Sequence, residues 1–142
     1  MKKSLCALLL LILLPFGTVQ SAEFKLTGRT TWQLGQLMVN GIPFVLDEQT
    51  RFKEGLDEDD LGGTWVELEG EVQTTAQGAR RLIREVEPLE EKDEMELEGQ
   101  VEQGRVWGYG AADESLAPFE GRWLELECRF DGLRLSQCRE DD

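Results

Sequence analysis

Gly63-Thr64-Trp65-Val66-Glu67-Leu68-Glu69-Gly70-Glu71-Val72 alternates small or apolar residues with outward-type residues. Successive side chains of a strand point to opposite faces, so a period of two predicts a strand with one buried face. Val66, Leu68, Gly70 and Val72 take the buried face, and Trp65, Glu67, Glu69 and Glu71 take the other. The stretch has an echo in Gly121-Arg122-Trp123-Leu124-Glu125-Leu126-Glu127, where Gly, Trp, Glu, Leu and Glu recur at the same spacing. Leu26-Thr27-Gly28 likewise returns as Leu97-Glu98-Gly99. These matches predict a tandem of two related β-units. Leu26 to Trp65 is 39 positions and Leu97 to Trp123 is 26, so the second unit is abridged by 13 residues. That leaves it no room for the hairpin and helical turn expected in the first.

Outward from the two matches, turn signals separate further strands. Phe24, Leu26, Gly28, Thr30 and Trp32 form the apolar side of an alternating run. Asn40-Gly41, between Leu37-Met38-Val39 and Phe44-Val45-Leu46, is a hairpin signal, because both central residues must accept positive φ. Pro43 lacks an amide donor and marks an edge or a bulge. Asp57 to Leu61 reads as one helical turn, acidic at its positive end and closed by Gly62-Gly63. Ala79 to Val86 returns after a turn at Gly78. In the second unit, Met95 to Val101 and Val106 to Tyr109 read as strands, and Ser115 to Glu120, with Pro118, as irregular. Gly121–Phe130 and Leu133–Arg139 form a hairpin around Asp131-Gly132. The expectation is an all-β protein with units at 23–87 and 95–142 and a charged linker at 88–94. One continuous barrel of both halves is the structural alternative.

Lys2 and Lys3, an apolar run from Leu5 to Leu14, and the small residues Ser21-Ala22 have the layout of a secretory signal peptide at 1–22. The run is too short to cross a bilayer of roughly 30 Å as a helix. Cleavage after Ala22 delivers the chain to the periplasm or outside a bacterial cell, with no stable membrane insertion. The remaining 120 residues carry 13 basic and 29 acidic side chains, a net charge of 13 − 29 = −16. Such a charge repels nucleic acid and anionic membranes and favours cationic partners. It is also the composition of a protein adapted simply for solubility.

The absence of histidine excludes serine–histidine and cysteine–histidine catalysis and any imidazole zinc site. Cys128 and Cys138 are the only cysteines after residue 22, an even count that predicts a disulfide in an exported protein. Strict alternation puts Leu133, Leu135 and Cys128 inside but Cys138 outside, so the bond requires a bulge or a frayed end.

The order Gly28, Val39-Asn40-Gly41, Thr50-Arg51-Phe52, Leu61, Val66-x-Leu68-x-Gly70 and Arg81 resembles the exported bacterial β-domains of the domain-of-unknown-function family numbered 5666. The resemblance covers about residues 24–87. It implies a five-stranded barrel of the oligonucleotide/oligosaccharide-binding (OB) type, with a short helix between the third and fourth strands. It implies no activity and no catalytic residues.

Trp65, Glu67 and Glu69 in the first unit and Trp123, Glu125 and Glu127 in the second place an aromatic ring beside carboxylates on an outer sheet face. That combination suits a Lys- or Arg-rich segment, through cation–π contact and charge. Packing of the two units on each other through the tryptophans is the competing reading. Asp57-Glu58-Asp59-Asp60 fails as a calcium loop, because Leu61 and Leu68 fall where oxygen ligands are required. No metal or other cofactor is expected. Arg80, Arg81 and Arg84 are expected to neutralise the acidic strand across their hairpin. The leading expectation is a non-enzymatic binding or adaptor module for a cationic protein or peptide. A structural or small-ligand-binding module is the second, and a carboxylate-based hydrolase the third.

Overall fold

The computed structural model describes residues 20–89 and 93–141. The apolar run of the expected signal peptide and the middle of the expected linker lie outside them. The molecule is built almost wholly of strands. β1 (Gln20–Gln33) pairs with β2 (Gln36–Val39), which pairs with β3 (Ile42–Phe44). Val45, just past β3, bridges Leu82 of β6 (Gly78–Pro88) in parallel. β6 pairs with β5 (Trp65–Thr75), and β5 returns to β1. The path is closed, and a 3-10 turn at Glu58–Asp60 sits before β5. Closure of a sheet in this way removes exposed edges. β4 (Arg51–Phe52) adds a short parallel pair to β6.

The second half follows the same path in miniature. β7 (Glu94–Gln100) continues to Glu102, which bridges Arg105 in β8 (Arg105–Val106). β8 pairs with β9 (Tyr109–Gly110), and Ala111 bridges Leu135 of β11 (Leu135–Glu140) in parallel. β11 pairs with β10 (Trp123–Phe130), and β10 returns to β7. The registers correspond: Leu26 faces Leu68 as Leu97 faces Leu126, and Gly28 faces Val66 as Gly99 faces Leu124. Backbone bonds outside the ladders also correspond. The Thr30 amide donates to the Thr64 carbonyl and the Gly63 amide to the Thr30 carbonyl; Val101, Arg122 and Gly121 repeat the set.

Antiparallel pairing of Lys25 on β1 with Glu98 on β7 joins both halves into one sheet of order β11-β10-β7-β1-β5-β6-β4. The core is continuous across them. Trp107 from the second half sets its ring 5.4 Å from Phe24 and 5.7 Å from Phe44 of the first. Asn40, at the tip of the β2–β3 hairpin, donates its amide to the Trp107 carbonyl at the tip of β8–β9. The two hairpin tips therefore meet.

Several local expectations are corrected. The second half does contain a hairpin and a helical turn. Trp107-Gly108 is a two-residue turn with φ of 49° and 83°, not the middle of a strand. Ala117–Phe119 forms a 3-10 turn with Pro118 as its second residue, whose ring presets the helical φ. Both fit into the shorter unit because β8 and β9 have only two residues each. β6 runs through Pro88 and β7 begins at Glu94, so the linker's ends are strand residues. Trp32 is 42% exposed at the end of its otherwise buried face, its indole donating to the Leu61 carbonyl. Leu133 is 75% exposed in the final turn. A register shift between Glu127 and Arg129, with Gln137 at φ 50°, turns Cys138 inward. Its Sγ lies 2.16 Å from that of Cys128, a disulfide distance, and the Cα atoms are 4.1 Å apart. The bulge required by the alternation is present.

Candidate functional site

The outer face of the joined sheet is built from glutamates set directly against glutamates. Glu67 faces Glu87 and Glu69 faces Glu85 across β5–β6. Glu23 faces Glu71 across β1–β5. Glu96 faces Glu127 and Glu98 faces Glu125 across β7–β10. Like charges directly opposite destabilise a sheet, so five such pairs are a cost of this surface.

Lys25 is the cation at the centre. Its Nζ lies 3.0 Å from Glu96, 3.2 Å from Glu69 and 3.8 Å from Glu67. Burial lowers its pKa, but the three carboxylates outweigh this and hold it well above the ordinary lysine value. Glu67 is pushed up by burial; Lys25 opposes the shift, and Glu87, Glu69 and Glu96 add to it. Glu98 is also pushed up, first by burial and then by Glu125 and Glu23.

Beside Lys25 lies a depression of about 280 Å³. Glu23, Glu69, Glu98 and Glu125 converge on it above Phe24 and Gly70, with Arg84 at its border. Arg84 is taken by Glu71 at 2.6 Å. Among the described residues, no Lys or Arg makes an ion pair with Glu23, Glu98 or Glu125. Lys25 itself also lines the depression, so its carboxylates outnumber its cations. No family model, curated protein or solved structure matches this chain. Its chemistry is read from the geometry.

The six residues expected to form a binding face are separated into groups. Glu67 and Glu69 are partners of Lys25. Glu125 belongs to the acidic depression, whereas Glu127 is paired with Arg139. Trp123 lines a neighbouring groove and touches the depression only through Glu23: its indole donates to the Glu23 carbonyl at 3.0 Å, and the ring stands edge-on to Trp107 at 6.1 Å. Trp65 lies against Phe130 of the other half, ring centroids 5.8 Å apart. Both rings pack, yet Trp65 keeps 37% and Trp123 38% of their surface exposed.

Glu23 and Glu98 were not among the residues singled out from sequence. Glu98 meets Glu125 across β7–β10, and Glu23 joins them because β7 docks on β1. The Leu-x-Gly echo at 26–28 and 97–99 was the available signal that these strands are counterparts.

Two acidic clusters are already satisfied. Asp57 accepts from the Asp59 amide and Asp60 from the Asp57 amide, a capping box on the 3-10 turn. Carboxylate oxygens of Glu96, Glu127 and Asp141 lie within 4.8 Å of one another, but Lys25 and Arg139 already pair with the first two. Across the β5–β6 hairpin, Arg84 neutralises Glu71 as expected, while Arg81 donates to the Pro43 carbonyl.

Proposed function

We propose that the protein is a non-enzymatic binding or adaptor module of the bacterial periplasm or exterior, and that it takes a cationic protein or peptide segment. A Lys or Arg of the partner seats among Glu23, Glu98 and Glu125, with Trp123 in the neighbouring groove. One observation carries this reading: Glu23, Glu98 and Glu125, none of them in an ion pair among the described residues, share a depression whose own cations, Lys25 and Arg84, are already paired with other glutamates. A partner ammonium or guanidinium there relieves the repulsion that burial has sharpened. The corresponding registers of the two halves favour a tandem duplication as the origin of the face.

The test is titration of a fluorescently labelled oligo-arginine peptide at low and high salt. Saturable binding that weakens steeply with salt is expected for electrostatically steered association. Glu98→Gln with Glu125→Gln weakens it by about tenfold, the range of a lost charged hydrogen bond. Glu58→Gln with Asp59→Asn, remote on the 3-10 turn, removes the same charge without that loss. Equal losses in the two double variants would mean that net charge alone attracts the peptide.

A further inference from the structure

A second groove, of about 570 Å³, has the opposite chemistry. It runs along the seam between the halves, where Trp65 meets Phe130. Arg29 enters from β1, Arg105 from β8 and Arg134 from the loop before β11. No Asp or Glu lines it among the described residues, although acids outnumber bases 29 to 15 in the chain. None of the three arginines forms an ion pair among the described residues. Arg29 donates through Nε to the Gly63 carbonyl and Arg105 through one terminal nitrogen to the Gly108 carbonyl. These bonds orient both guanidinium groups and leave further N–H groups free, since each carries five donors.

The apolar part of the groove is aromatic. Trp65 presents over a third of its surface, and Phe130 and Tyr109 stack edge-on at 5.5 Å beside it. Tyr109 is fixed by donating its hydroxyl to the Thr27 carbonyl at 2.8 Å. A related groove on the other side of the seam, around Trp123, shares Arg105 but carries Glu102. The Trp65 groove has no carboxylate among its described lining residues.

We infer that the Trp65 groove binds a small ring-bearing carboxylate. Guanidinium groups match a planar carboxylate through paired N–H donors, and the aromatic wall takes the flat or apolar face of a ring. The volume suits a ligand of one to a few rings. A chain of this net charge repels anions over long range, so a trio of arginines without an ion pair among the described residues, Asp131 near Arg134 being the one adjoining acid, is the feature that selects one. The site is separate from the acidic depression and goes beyond the cationic-partner reading.

Carboxylates with rings come from two sources, aromatic acids and uronic-acid sugars. The experiment uses 2-naphthoate and digalacturonate as probes, followed by calorimetry and by quenching of tryptophan emission. Saturable binding of one of them is expected, and the one that binds names the source. The neutral 2-naphthamide or an uncharged disaccharide should not bind. Arg29→Gln and Arg134→Gln should each weaken binding roughly tenfold, with the thermal midpoint retained because both side chains are at the surface. Trp65→Phe should lower the tryptophan signal change while retaining most of the binding. Failure of both probes to bind overturns the inference, and so does binding that is indifferent to both arginine substitutions.

Discussion

The indole of Trp107 occupies the space that a Cβ on Gly99 would fill, and its N–H donates to the neighbouring Glu98 carbonyl at 2.8 Å. The counterpart position, Gly28, is equally closed, there by Val39 with Tyr109 nearby. Both glycines are thus sites of close approach, which explains why the Leu-x-Gly pattern occurs twice.

Gly99→Ala must displace Trp107 from its place against Phe24 and Phe44. Overpacking of this kind costs about 1–3 kcal/mol. Urea unfolding should show the loss at an unchanged slope. An alanine variant as stable as the parent would mean that the seam is loose at this point.

The Cys128–Cys138 pair spans 10 positions. A loop that short contributes at most about 3 kcal/mol in the chain-entropy model. Reduction, or replacement of both cysteines by alanine, should lower the thermal midpoint without abolishing the β spectrum. Native-state labelling of both thiols would show that the bond is not formed.

Glu98 titrates above an ordinary carboxylate because burial and Glu125 disfavour its charge. A raised folded-state value means that its contribution to stability is complete below the unfolded pKa and is lost as pH rises through the folded one. Glu98→Gln should therefore stabilise the protein near neutral pH, by about 0.5 kcal/mol for one relieved cross-strand repulsion. The gain should vanish on acidification below the ordinary glutamate range. A gain that persists there would point to packing instead of charge.

Lys25→Met leaves Glu67, Glu69 and Glu96 without their cation. The ion pairs are part-exposed and screened, so the expected loss is about 1 kcal/mol, greater at low salt. The same change enlarges the acidic face. Oligo-arginine should then bind severalfold tighter, by roughly the factor that one added charge brings to an electrostatic complex. Weaker binding would show that Lys25 organises the glutamates for the partner.

Residues 63–72 and 121–127 were legible as strands because alternation is a local property, and so was the Asn40-Gly41 turn. The capped turn at 57–61 could be read for the same reason. Cys138 was misplaced by strict alternation, since a bulge reverses facing through backbone geometry that composition does not mark. The hairpin at Val106–Tyr109 was read as a strand because tryptophan is not a usual residue for positive φ. It is held there by the glycine-lined space beside Gly99.

By itself, the sequence determined the β class, the acidity, the echo between the halves and the pairing of cysteines, all of which follow from composition and short-range periodicity. Only the tertiary structure decided which charges meet. Docking of β7 on β1 brings Glu98 and Glu125 to Glu23, and the seam between the halves brings Arg29, Arg105 and Arg134 to Trp65. Those residues are far apart along the chain. Electrostatic neighbourhoods depend on distance in space, which cross-strand register sets within the sheet and packing of the two halves sets at the seam.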